Sequence, residues 1–432
     1  MLNMRYNRGC ACWRSGSDSN IVTVSGGIAA ASKGSGVGSV TWNDVENTAN
    51  VNIVNSSVKA QQTAAKASNT AQIVSVAGQI SGAGKAGVGA TLSYTGLDNS
   101  TEANITSTTF DKRDKAETEG ITVTADAENR SDSYNVAAGV SAAGTAAVSG
   151  NVAVTQTHGT SGAVIDDAAI NNAKTVSANA LDDTDILSVI GTVSAAGTAS
   201  VGAGVAYTEI GSTSTNEDDA QQTVAAIENT DITTAASASG STVSAQATDS
   251  SKVINVAVGI GGAGTAAVQG ASATSLVNKT TAANITDTNI IDKNTKNSKN
   301  ANVTIEAVND TEITSSADVA AVAGTGAGVG AGVAVNRIKQ NTQAALNGGT
   351  MNVNNLTVST DGTPRIENIG IGIGVAGEGA GVTGNVSVNM IKNNVTAHIG
   401  GGANIVADGS VGVVAPVTSK LPTTRAALLL LA

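Results

Sequence analysis

Between Ile369 and Val375 the chain reads IGIGIGV, with Ile369, Ile371, Ile373 and Val375 separated by single glycines. A period of two gathers these side chains on one face only if the backbone is extended. A helix would spread them around its circumference, and each glycine would cost it about 0.5–1 kcal/mol relative to alanine. The stretch is therefore read as a strand, with the branched side chains as its expected buried face.

This strand opens the last of seven related phrases. The others include ISGAGKAGVGATLSY, VSAAGTAAVSGNVAV, VSAAGTASVGAGVAY and IGGAGTAAVQGASAT. Anchored on Val37, Val88, Val148, Val201, Val268, Val329 and Val382, successive copies stand between 51 (Val37 to Val88) and 67 (Val201 to Val268) residues apart. Repetition at such a period marks a stacked architecture. A charge-free, alanine-rich segment such as Val136 to Val154 also suits a membrane helix packed through small residues. The several glycines in every copy argue for strands instead.

The segments between phrases alternate with polar partners. In ITVTADAE, Ile121, Val123, Ala125 and Ala127 share one face. In NVTIEAVND, Val303, Ile305 and Ala307 do so, and NVNNLTV places Val353, Leu356 and Val358 together with a break at its asparagines. These read as half-buried strands between Gly, Asn, Asp and Ser turns. DDAQQTVAAIENT, from Asp218, is the best helix candidate. With 50 glycines, 3 prolines, 41% apolar and 2% aromatic residues, the interior must be a regular pile of small side chains.

The expected fold is all-β: an elongated repeat protein, a right-handed parallel β-helix, with tandem β-sandwich modules as the alternative. A rung of about twenty residues would place two to three rungs in each repeat. The phrases would put valines inside and small residues outside. Residues 1–20 are expected to form a non-repeat, disordered segment, 21–415 the solenoid body, and 416–432 a non-repeat tail. Neither a signal peptide nor a membrane-length apolar run is visible at the ends, which suggests a piece of a larger protein.

Chemistry is sparse. His158 and His398, the only histidines, lie in different repeats. Acidic clusters occur at Asp166 and Asp167, at Asp182, Asp183 and Asp185, and at Glu217, Asp218 and Asp219, without the spacing of a calcium loop. Cys10 and Cys12 lack the second pair a zinc site needs. SGAGKAG (Ser81 to Gly87) lacks the frame of a phosphate loop. Lysine- and arginine-containing insertions, Phe110 to Glu117 and Ile290 to Asn300, are dispersed. A net charge of −11 argues against a nucleic-acid partner. No catalytic, metal or cofactor-binding residue is assigned, and the chain is not expected to be an enzyme. Sequons at Asn104, Asn278, Asn284, Asn302, Asn355, Asn385 and Asn394 are ones that an Asn- and Thr-rich chain produces freely.

The repeated phrase, with TTAANI (Thr280 to Ile285), NTQAAL (Asn341 to Leu346) and NNVTAHI (Asn393 to Ile399), resembles the repeat body of large bacterial filamentous adhesins of the leukotoxin type, akin to filamentous haemagglutinin. That resemblance implies a β-helix displayed at the bacterial surface or released, export across the outer membrane by a partner secretion pore or an autotransporter module, and attachment to a host receptor or glycan. It leaves two other readings open, a cytolytic toxin and a polysaccharide-acting enzyme on a β-helix.

Overall fold

The computed structural model describes residues 5–7, 10–113, 120–212, 220–235, 240–293, 299–416 and 425–431. All assigned helix or strand elements among them are strands. They form one 17-stranded and one 8-stranded sheet, parallel throughout except where Arg5–Asn7 folds back on Cys10–Ala31. The fold is thus all-β and solenoid-like, consistent with a parallel β-helix.

One sequence repeat makes one rung. In the third rung, Ile121–Ala143 runs outward along the larger sheet, Gly144 and Thr145 turn the chain, and Ala146–Asp166 returns along the smaller sheet. The next rung lies directly on it: Val148 pairs with Val201, Val201 with Val268, Val268 with Val329 and Val329 with Val382. The expected twenty-residue rung is too short, because each side is itself a strand of about twenty residues. Fusing the corners into long strands removed the turn signals that a shorter rung would have needed.

Each rung is closed at the end away from the Gly-Thr turn by a short third strand, such as Ser57–Lys59, Thr109–Asp111, Asp231–Thr234 or Asn289–Ile291. The corner before it carries a left-handed residue, with φ between 46° and 50° at Asn55, Ser107, Asp167, Asn229 and Asp287. These corners stack: Ser107 N–H donates to Asp166 O and Asp167 N–H to Glu228 O. Asn, Asp and Ser tolerate this conformation through local side-chain hydrogen bonds.

This closed end, the body, holds the conventional core. Ile105, Ile165, Ile227, Ile285 and Leu346 stack in register and are fully buried, beside an alanine ladder of Ala103, Ala163, Ala225, Ala283 and Ala344. Facing them are Ile121, Val123, Ala125, Val303, Ile305, Leu356 and Val358, so these alternating segments bury the faces read from sequence. Phe110, Ile170, Ile232, Ile290 and Met351 fill the third side. The clusters run through successive rungs, unlike the separate cores of sandwich modules.

Four further expectations are corrected. Gln221–Glu228, the centre of the helix candidate, is a strand, because Val224 to Glu228 pair on both sides within the small sheet. The first long strand begins at Cys10, ahead of residue 21, since its partner Gln62–Ala83 provides a full-length ladder. Gly36, not Val37, pairs with Val88, so Val37 belongs to the opposite face. The fourth correction concerns which face of the phrase is buried, and it defines the site below.

Candidate functional site

Beyond the body, both sheets continue to the Gly-Thr turns as a thinner blade. Between body and blade runs a buried polar column. In the larger sheet it stacks Asn69, Asn129, Asp182, Asp249 and Asn309; facing it in the smaller sheet are Gln221, Lys279 and Gln340. Lys279 Nζ donates to Asp249 Oδ1 at 2.6 Å, to Asp182 Oδ1 at 3.2 Å and to the Ser251 hydroxyl. Asp182 also accepts from Asn129 at 2.8 Å, Gln221 at 2.9 Å and Thr184 at 3.0 Å.

All three charged side chains have no exposure to solvent. Burial, with the charge of Asp182 adding to it, pushes the Asp249 carboxyl up to about 6, against the attraction of Lys279. Burial works against the charge on Lys279, but the two carboxylates outweigh it and hold its pKa above the usual lysine value. A sealed site of this kind has no route for a substrate. Its chemistry is ionic cross-linking of two adjacent rungs, since Asp182, Asp249 and Lys279 join the fourth to the fifth and a one-residue slip would leave charges unpaired.

Sequence reading grouped Asp182 with Asp183 and Asp185. Strand alternation separates them: Asp182 points inward, and Asp183 and Asp185 point outward. Asp166 and Asp167 sit at a corner, where they accept from Asn229 at 2.9 Å and Ser107 at 2.7 Å. Glu217, Asp218 and Asp219 lie outside the described residues. His158 and His398 are in different rungs, and His398 Nε2 is 3.2 Å from Asn347 Oδ1. Cys10 and Cys12 are bonded to each other, a link that joins no two rungs. Asn278 is buried and donates to Ser212 O, so it is closed to glycosylation. Lys279 was missed; its only sequence signal is a lysine at an inward position of an alternating strand.

The blade reverses the expected polarity. Val88, Val148, Val201, Val268, Val329 and Val382 all point outward and are exposed. The inward neighbours are small or polar: Gly87, Gly89, Thr91 and Ser93 in one rung, Ala147, Ser149, Asn151 and Ala153 in the next. Ile369 and Ile371 of IGIGIGV are likewise exposed, with Gly372 and Gly374 buried. The period of two was right, and the face was inverted. Inside the blade Ile190 and Val319 are still buried, but at the inward glycines the sheets approach too closely for a side chain. A Cβ on Gly89 or Gly139 would strike Gln79, and one on Gly202 or Gly261 would strike Gln269. These amides reach across to serines: Gln79 donates to Ser149 at 3.1 Å and Gln269 to Ser194 at 2.6 Å.

No family model, curated protein or solved structure matches the chain. The site must therefore be read from its own geometry. Its distinguishing feature is the exposed outer surface of the blade. Parallel sheets normally have both faces covered, whereas here Val88, Val148, Val201, Val268, Val329 and Val382 stand uncovered in one register column. No helix among the described residues is long and apolar enough to cross a membrane.

Proposed function

We propose that the protein is a surface-attachment rod, the repeat section of a bacterial surface adhesin. The observation that carries this reading is the register-locked stack of seven rungs, which builds a stiff body and repeats the same outward blade surface at each rung. Repeated weak contacts add by multivalency, so a rod needs no deep pocket to bind firmly. The reading places it outside the cell, exported through an outer-membrane pore and engaging a receptor or glycan on a host or neighbouring surface.

A second reading, a cytolytic toxin, is favoured by one observation, the apolar exterior of the blade. Fluorescently labelled protein applied to intact host cells tests both. Saturable binding with cells intact supports attachment, lysis supports the toxin, and absence of any binding contradicts the rod as an adhesin.

A further inference from the structure

The outer surface of the blade is ordered by depth, in the same sequence on both sheets. On the smaller sheet, the four outward columns that begin at Gly36, Gly38, Val40 and Trp42 contain no charged residue in any of seven rungs. On the larger sheet, the five columns that begin at Val22, Val24, Gly26, Ile28 and Ala30 contain two: Glu367, at the margin, which accepts from Arg365, and Asp318, whose carboxylate accepts from Ile371 N–H at 2.9 Å and the Ser316 hydroxyl at 2.7 Å. The next column toward the body carries charges on each side, with Asp132, Asp185 and Lys252 on one and Asp44, Glu209 and Arg337 on the other, the latter interspersed with Gly96, Gln156, Leu276 and Met390.

Aromatic side chains mark the boundary. The chain has only seven aromatic residues (2 Trp, 4 Tyr and 1 Phe). Trp42, Tyr94 and Tyr207 share the outward column next to the charged one on the smaller sheet, and Tyr134 occupies the corresponding column on the larger. The rings of Trp42 and Tyr94 stack with centroids 4.1 Å apart. The hydroxyls reach the polar column: Tyr94 donates to Gln156 at 3.1 Å and Tyr207 to Glu209 at 3.0 Å.

Apolar side chains outside, Ser, Thr, Asn and Gly inside, and an aromatic band at the polar margin are the pattern of strands that face lipid. The depth agrees. At about 3.3 Å per residue, the stretches Val22 to Ala31 and Gly34 to Trp42 each extend about 30 Å, the thickness of a bilayer's hydrocarbon core. The turn row beyond them carries Lys33, Lys85, Thr145, Thr198 and Glu378, polar groups placed where the far headgroups would be. In the blade, rungs two to six have a neighbour on each side, so their backbone groups are paired without water, as hydrocarbon requires.

We propose that the blade is a lipid-facing wedge, which enters a bilayer edge-first with the rod axis parallel to the membrane. The inference rests on the attachment reading and names its target as the lipid itself. A second copy of the chain could cover one face of the blade. The apolar surface lies on both faces at matched depth, with one aromatic margin, and a bilayer covers both at once.

Protein-free phosphatidylcholine vesicles provide the test. The intact protein should co-float with them, and the exposed-site variant Val148→Asp/Val201→Asp should lose at least tenfold of that binding while keeping its strand circular dichroism and size. Thr304→Asp, outward on the body, should bind as the parent does. In a Trp13→Phe background, lipids brominated near the headgroup should quench Trp42 more than lipids brominated near the chain ends. Failure to float, or floating unchanged in the double variant, would overturn the wedge, as would a stable dimer in plain buffer that protects a Val148→Cys variant from maleimide labelling. Binding to cells but not to vesicles would remove the lipid inference and leave attachment standing; loss of both would remove the two together.

Discussion

The backbone of Gly144 lies against that of Gly84, and a Cβ on Gly144 would stand far closer to the Gly84 carbonyl oxygen than carbon and oxygen can approach. The relationship propagates: Gly197 meets Gly144, Gly264 meets Gly197, and Gly377 meets Gly324 in the same way. The glycine of the repeated Ala-Gly-Thr and Ala-Gly-Lys phrases is therefore set by stacking at the blade's edge. Gly144→Ala should destabilise the protein by about 2–3 kcal/mol through backbone displacement. Gly150→Ala, where a Cβ meets nothing within 4 Å, should be neutral or slightly stabilising. Urea unfolding of the two variants checks the contrast.

Lys279 neutralises two buried carboxylates from adjacent rungs. Lys279→Met should cost about 3–5 kcal/mol at pH 8, because it leaves Asp182 and Asp249 buried without a cation. Combining it with Asp182→Asn and Asp249→Asn should recover most of the loss, since the desolvation cost of all three charges disappears. Thermal melts of the single and triple variants measure both effects.

Asp249 gives the fold a specific pH dependence. Its carboxyl titrates near 6 in the native state, above its ordinary value of 3.8. Between those values the native state holds the proton more tightly than the unfolded chain. The contribution of this group is therefore fully present below about pH 4 and is lost as pH rises to about 6, with a slope of at most about 1.4 kcal/mol per pH unit. The stability difference between the parent and Asp249→Asn, followed by urea unfolding from pH 4.5 to 7.5, should shift in favour of the variant across that window and then level off. A difference independent of pH would contradict it.

Small positions inside the blade should be less tolerant of larger side chains than the apolar ones outside are of substitution. Ala147→Leu should destabilise by about 1–3 kcal/mol, since Ala147 is fully buried where the sheets are closest. Val148→Thr, one residue on and exposed, should change stability by under about 0.5 kcal/mol. Chemical denaturation of the pair distinguishes inside from outside.

The repeat, the all-β class and the buried faces of the body were legible because alternation with polar partners, as in Ile121 to Glu128 and Val303 to Glu306, marks the solvent side directly. In the blade that cue fails. Where Ile369 alternates with glycine, hydropathy assigns the isoleucine to the core, yet glycine is inside because Thr383 and Asn385 of the facing sheet stand where its side chain would be. Rung length was misread because no residue type announces a bend within a strand such as Gln62–Ala83. The Lys279 ion pairs were hidden because their partners come from strands 30 and 97 residues away.

The inverted polarity of the blade is the central claim, and cysteine accessibility tests it most directly. With Cys10 and Cys12 replaced by serine, single cysteines at positions 147 to 152 would be labelled with a maleimide in the folded protein. The account predicts alternation, with rapid reaction at 148, 150 and 152 and protection at 147, 149 and 151. The opposite phase, with 148 and 152 protected, would contradict it.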